Sequence, residues 1–502
     1  MPIFNSIIAW IMKNRIHQIE LFIKYPIDVQ VDLLRKHLNS AKDTEWGIKY
    51  DFASIKNWEE FKNRVPLQDY ESLKPSIERI RRGEQNILWH TDIKWFAKSS
   101  GTTSDKSKFI PVSQEALEEC HFKGGKDLIS IYCNNNPDTQ IFSGKNLTLG
   151  GSHQVCDMNT DAYYGDVSAI LMQNLPFWAE LVRVPNLSIA LMDEWEQKIE
   201  EISKATIDQN ITNIAGVPSW TLILLRNILI KAGKSDISEI WPNLELYLHG
   251  GVNFTPYHEQ FKQIISSGKM NYIETYNASE GFFGIQDRLV ADDMLLMLDY
   301  GIFYEFIPME HFHELNDQTI SLEDVRIGQN YAMVISTNAG LWRYQIGDMI
   351  EFTSLSPYRI RITGRTKSFI NAFGEELIVD NAEKAISKAC EKSGAVVKDY
   401  TAAPIYFSDT DGGSHQWAIE FEVAPNDEEY FMELLDNALK ALNSDYEAKR
   451  YHSIALKTPV LTSLPTGTFY KWLKSKGKLG GQHKVPRLSN NRKLIDEILS
   501  LI

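Results

Sequence analysis

Lys98-Ser-Ser-Gly-Thr-Thr-Ser-Asp-Lys-Ser-Lys-Phe-Ile-Pro111 is the stretch from which the fold is read. The residues before it, Ile93–Ser99, alternate like a short strand, and Phe109-Ile-Pro-Val112 is apolar again. Between them lies a loop of small hydroxyl residues around Gly101, followed by Lys106 and Lys108. Backbone N–H groups of such a loop can turn inward toward phosphate oxygens, hydroxyls add donors, and lysines add charge. The G-x-x-x-x-G-K-[ST] spacing of a Walker A loop does not fit. A plain polar turn and a serine nucleophile are the competing readings, and no G-x-S-x-G supports the second.

Working outward, apolar residues recur every three or four positions over residues 1–45, with a break expected at Tyr25-Pro26. Helical patterns also cover Asn57–Asn63, Tyr70–Arg82 and residues 113–131. Strands are expected at Leu147–Gly151, Leu244–Leu248, Tyr272–Tyr276, Leu295–Phe306, Tyr331–Thr337 and Met349–Phe352. Helices are expected at Trp195–Asn210, Trp220–Lys231 and Tyr257–Ser266. Strands alternating with helices over so long a stretch predict an α/β fold: a large N-terminal domain of mixed sheets flanked by helices over 1–363. The pattern restarts near Thr363-Gly364-Arg365, and 364–502 reads as a small α+β domain.

Composition narrows the function. The 502 residues carry 52 Lys and Arg against 66 Asp and Glu, a net charge of −14. That sign argues against a general nucleic-acid binder. The four cysteines form no CxxC pair, so they read as cytosolic thiols. The apolar run Ile7–Met12 is too short for a signal peptide or a membrane span, and a soluble cytoplasmic protein is expected. Lys449–Lys493 holds eleven Lys or Arg and no Asp or Glu. It reads either as a solvated face or as an anion site.

Four further motifs follow the first. Tyr276-Asn-Ala-Ser-Glu-Gly281 ends a strand, with a ring that can stack on a base and a carboxylate that can hold Mg²⁺. Trp342-Arg-Tyr-Gln-Ile-Gly-Asp348 offers an aspartate after glycine that could accept ribose hydroxyls; taken alone it reads as a turn. Gly364-Arg-Thr-Lys367 sits at the domain boundary. Gly480-Gly-Gln-His-Lys-Val-Pro-Arg487 places Lys484 in a glycine-rich loop, where it could neutralise charge developing on an acyl phosphate. Glu310-His-Phe-His-Glu314 lacks the H-E-x-x-H spacing and reads as a surface loop or strand. Phe177, Trp178 and Trp220 could line an acyl pocket, but core packing explains each singly.

In this order the five motifs resemble those of the auxin-responsive acyl-acid amido synthetases, here in a bacterial-type form. That family is a branch of the adenylate-forming superfamily that includes firefly luciferase and acyl-CoA ligases. The resemblance spans nearly the whole chain, with Trp342 where the family usually shows Tyr. It implies ATP and Mg²⁺ as cofactors, a carboxylic acid activated as its adenylate, and transfer to an amine such as an amino acid. By the resemblance, Ser99, Ser100, Gly101, Thr102, Thr103 and Lys108 hold phosphates. Gly251, Val252, Asn253, Tyr276, Asn277, Ala278 and Ser279 form the adenine region. Glu280 binds the metal, Asp348 the ribose, and Arg365 the nucleotide. Arg365 and Lys367 mark a hinge, and Lys484 and Glu280 are catalytic. The partners expected are small molecules, with no nucleic acid or membrane, and a monomer is expected. An acyl-CoA ligase and a non-catalytic nucleotide-binding protein stay open as alternatives.

Overall fold

The computed structural model describes residues 15–502 apart from 100–107, 152, 156–160, 176–179, 181, 193, 252–253, 255–256, 313–317, 367–368, 371–374, 376, 406–412, 444–445, 448–449, 451–455, 478–483 and 490. The chain divides into two compact units. The larger is Met1–Ile346 with Glu351–Arg361 and Gly480–Gln482. The smaller is Gly347–Ile350, Ile362–Leu479 and His483–Ile502.

The larger unit is built on an eleven-stranded sheet. Its spatial order is Ile302–Pro308, Asn330–Thr337, Tyr344–Leu355, Tyr358–Arg365, Met294–Leu296, Gly281–Ile285, Asn271–Ala278, Leu246–Gly250, Ile211–Ala215, Lys145–Thr148 and Arg183–Val184. The strands from Asn271–Ala278 to Arg183–Val184 run parallel. From Asn271–Ala278 to Tyr358–Arg365 in the other direction they pair antiparallel. A second, four-stranded sheet holds Lys108–Val112, Trp95–Ser99, Tyr163–Gly165 and His153–Val155.

Local chemistry explains several boundaries. Helix Tyr70–Arg81 starts where Asp69 accepts from the Ser72 N–H at 2.9 Å and Ser72 Oγ accepts from the Asp69 N–H at 2.9 Å. Each such cap stabilises by about 1 kcal/mol. Tyr70, Leu73, Ile77 and Ile80 then fall on one buried face. Tyr25 separates helix 15–24 from helix Pro26–Ala41, as the Tyr-Pro pair predicts. Buried Gln30 on that helix donates to the Leu298 and Ile302 carbonyls and accepts from the Tyr304 N–H, tying the helix to a sheet edge.

In the smaller unit, strands Val396–Ile405, Ser414–Val423 and Val460–Leu464 form one sheet. Alternate residues serve opposite faces. Ala402, Trp417 and Ile419 pack with helices Val379–Ser393 and Glu428–Leu442. Ala403 and Ala418 pack with helices Thr468–Ser475 and Lys493–Leu499.

Three expectations need correction. Trp342–Asp348 is not a turn: Tyr344–Asp348 lies inside the twelve-residue strand Tyr344–Leu355. The helix expected over 113–131 opens as a π-helix, Ala116–Phe122, before continuing as Lys123–Asn135. The basic tail is not a uniform solvated face. Arg450 is buried on Asp436, and Phe469, Trp472 and Leu473 are core residues.

Candidate functional site

The larger unit gathers one set of the expected residues. Leu246–Gly250 and Asn271–Ala278 are parallel neighbours, and Gly250 pairs with Thr275. Gly250–Gly251 and the Tyr276–Ala278 end of the neighbouring strand, which turns at Ser279–Glu280, therefore lie at the carboxyl ends of adjacent parallel strands. That edge is where open α/β sheets bind ligands. Gly250 permits the close approach, since a Cβ there would stand 2.4 Å from the Thr275 carbonyl oxygen.

Ser279 and Glu280 form the tight turn between Asn271–Ala278 and Gly281–Ile285. Tyr276 is buried with its ring centre 4.7 Å from that of Phe283. The Asn277 side chain points to the opposite face, where its Oδ1 lies 3.1 Å from His121 Nδ1. Burial lowers His121 to about 4, so the imidazole is neutral near pH 7 and Nδ1–H is the donor. Ala278 ends the strand and Ser279 is buried. Two residues before Tyr276, Glu274 is a half-buried carboxyl that desolvation raises to about 7, and the motif reading had not singled it out.

The first motif bridges a hairpin. Ser99 and Lys108 are register partners of antiparallel strands, so the loop springs from a fixed base. Beside it the Tyr70 hydroxyl accepts from the Phe109 N–H at 2.9 Å, and Lys108 Nζ lies 5.8 Å from the centre of the Tyr70 ring. Ser100, Gly101, Thr102, Thr103, Val252, Asn253 and Lys367, and with them Phe177, Trp178 and the 313–314 end of the Glu310 motif, lie outside the described residues. Among the described residues no cluster of three or more metal-ligating side chains occurs.

The smaller unit gathers the second set. Gly347, with φ +88°, adopts a conformation that a side chain would strain. Its carbonyl accepts from the Thr366 N–H at 2.9 Å. This bond joins the Asp348 strand to the end of Tyr358–Arg365, and Arg365 Nε meets Asp348 Oδ1 at 2.7 Å. Asp348 is 13% exposed and Arg365 41%. Lys484 shares their field. Its side chain is exposed. Desolvation by the surrounding protein and then Arg365 lower its pKa to about 8, Asp348 pulls the other way, and Arg487 adds to the lowering. The Asp348–Arg365 pair and Lys484 thus bring three motifs, far apart in sequence, into one charged cluster.

Arg343 goes elsewhere. It is buried, and its guanidinium holds Glu305 through Nε and Nη2 at 2.9 Å each. It also donates to the Lys62 and Val65 carbonyls and to Thr319 Oγ1. Nothing in the motif's spacing pointed to Glu305 as its partner.

Comparison with known proteins covers the same ground. Residues 15–270 match the GH3 family N-terminal domain, 295–365 the GH3 family central domain, and 380–493 the GH3 family C-terminal domain. The indole-3-acetic acid-amido synthetase GH3.4 of Arabidopsis thaliana is 23% identical over 563 residues, spanning 95% of this chain and 92% of that protein. The solved GH3.15 acyl acid amido synthetase superposes with a TM-score of 0.77 at 18% identity, covering 95% and 93% of the two chains. A 2-hydroxyisobutyryl-CoA ligase in its postadenylation state gives 0.54 at 13% identity, covering 94% and 91%.

Proposed function

Because this chain belongs to the GH3 family, we propose that it is an ATP-dependent acyl-acid amido synthetase, an AMP-forming ligase. A carboxylate oxygen attacks the α-phosphorus of ATP, the bond to the β-phosphate breaks, and pyrophosphate leaves. The nitrogen of an amine, such as an amino acid, then attacks the acyl carbon of the adenylate. AMP leaves, and the ammonium proton passes to solvent. Adenylation replaces a poor leaving group by a good one, and the protein's share is positioning and charge stabilisation.

The observation that carries this reading is the cluster of Lys484, Arg365 and Asp348 in the smaller unit. A cation near a carboxylate that can hold ribose suits an enzyme that must neutralise charge growing at the α-phosphate. We assign Lys484 to that charge, Asp348 to the ribose hydroxyls and Arg365 to the nucleotide. Arg365 and Lys367 lie in the stretch about which the C-terminal domain, residues 364–502, would turn between half-reactions. The loop from Ser99 to Lys108 takes the phosphates. Gly251–Asn253 and Tyr276–Ser279 take the adenine end, on the sheet edge that Gly250 and Tyr276 share. Glu280 would be the Mg²⁺ ligand: a hard carboxylate at a half-buried turn suits an ion that takes oxygen ligands. When bound, Mg²⁺ would offset triphosphate charge.

No helix among the described residues is long and apolar enough to cross a membrane. The test is a screen of carboxylic acids by pyrophosphate release, repeated with each amino acid. Acid-dependent release followed by amine-dependent AMP formation is expected. Release that needs CoA instead would move the chain to the thioester-forming branch, and failure of every acid would overturn the proposal.

A further inference from the structure

The segment that carries Lys484 is fastened to the small sheet as an additional edge. The Pro486 carbonyl accepts from Thr401 Oγ1 at 2.7 Å, the Arg487 carbonyl accepts from the Ala402 N–H at 2.9 Å, and the Ser489 N–H donates to the Ala402 carbonyl at 3.0 Å. Leu488 pairs with Ala402 in parallel sense. Val485 is buried in the core on one face of the sheet and Leu488 in the core on the other. Three residues beyond Lys484, the chain can no longer shift without breaking both.

Arg487 locks this edge from the side. Its Nη1 pairs with Asp399 Oδ1 and donates to the Tyr400 carbonyl at 3.2 Å. Its Nε lies 3.3 Å from Glu383 Oε1, and the guanidinium centre stands 4.7 Å from the centre of the Tyr400 ring. Asp399 and Tyr400 belong to strand Val396–Ile405. Glu383 belongs to helix Val379–Ser393, the first long element after the 364–378 stretch. One guanidinium therefore ties together the strand, the helix and the lysine segment. Burial raises the carboxyls of Glu383 and Asp399, and the Arg487 charge opposes that rise in both. A lysine could not span the same partners, because only a guanidinium offers a planar fork with several fixed donors.

We propose that Arg487 is a positioning residue for adenylation: through Asp399, Glu383 and Tyr400 it fixes the backbone from which Lys484 reaches the reacting phosphate. This rests on the reading of Lys484 as the adenylation lysine. It assigns a role to a residue whose guanidinium contacts Asp399, Glu383 and Tyr400. It also separates the two half-reactions, because the role assigned to Lys484 belongs to adenylation and not to amide formation.

The test compares wild type, Lys484→Ala, Arg487→Lys and the charge-balanced set Arg487→Met with Asp399→Asn and Glu383→Gln, which leaves no carboxylate stranded. Adenylation is read by acid-dependent exchange of pyrophosphate into ATP, and amide formation by mixing enzyme with synthetic acyl-adenylate and amine. The balanced set is expected to lose about 10²-fold in adenylation kcat, the scale of a misplacement of about 1 Å, with ATP KM and the amide step within about threefold of wild type. Arg487→Lys is expected to keep the charge yet recover only part of the rate. Equal loss in both half-reactions, or none in adenylation, would overturn the positioning role. Lys484→Ala with undiminished adenylation would instead overturn the reading on which it rests.

Discussion

Arg343 and Arg365 come from neighbouring motifs and have opposite surroundings. Arg343 spends its donors on Glu305, Thr319 and two carbonyls, and its side chain is 4% exposed. Glu305 in turn accepts from the Trp58 indole and the Thr319 hydroxyl. Arg343 also holds φ +45°, a left-handed conformation that costs a non-glycine residue about 1–2 kcal/mol. Arg365 is half-exposed, in contact with an aspartate and within the field of Lys484. A guanidinium closed on every side can hold the fold but cannot greet a ligand. One that is open to solvent beside a lysine can do so. Within a run of motif residues, burial and hydrogen bonding thus separate structural from chemical members.

The sharpest way to break this contrast is to remove the closed arginine. Arg343→Met strands Glu305 in the core and is expected to cost about 3–5 kcal/mol, read as the denaturant midpoint. Arg343→Met with Glu305→Leu should recover much of that loss. A stable Arg343→Met that fails to bind ATP would reverse the assignment. Next in size is Lys484→Ala, expected to lower adenylation about 10²–10³-fold with ATP KM nearly unchanged. Equal loss of both would contradict a transition-state role. Smaller again is Asp348→Ala. Losing hydrogen bonds to a charged acceptor costs about 1.5–3 kcal/mol, so ATP binding by calorimetry should weaken by at least about tenfold. The fold should barely notice, because Arg365 remains solvated; unchanged affinity would remove Asp348 from the ribose site.

Legibility followed the range of the interactions involved. Helix Tyr70–Arg81 was readable because its cap and its apolar face lie within twelve residues. Strand Asn271–Ala278 and its turn were readable because apolar and aromatic residues run into a compact polar end. Asp348 was misplaced because a mid-strand glycine with positive φ and a left-handed arginine look like turn chemistry in one dimension. Helix Thr468–Ser475 was hidden by lysines on its outer face, although Phe469, Trp472 and Leu473 carried the inward spacing. The partners of Arg487 lie 88 and 104 positions upstream, at Asp399 and Glu383, and no local pattern reaches that far. The eleven-strand order is likewise a tertiary fact, fixed by which apolar edges meet.

The finest test of the contrast is the charge of Lys484. Its pKa is lowered from the ordinary 10.5 to about 8 by crowding, then by Arg365, with Asp348 opposing and Arg487 assisting. Adenylation needs the ammonium, so kcat/KM, which reports the free enzyme, should fall as pH rises through about 8. Bound triphosphate favours the charged form, so kcat alone should hold to higher pH. Arg365→Gln removes a cation and should move the kcat/KM limb upward, whereas Asp348→Ala should move it downward. Stability runs the other way. Between about 8 and 10.5 the unfolded chain holds this proton and the native chain does not, so the contribution of Lys484 to stability rises with pH across that window. Activity lost above about pH 8 while the Lys484 contribution to the melting temperature grows is therefore the signature of the lysine. A profile that stays flat to about pH 10, or one that Arg365→Gln leaves in place, would take Lys484 out of the field of that open arginine.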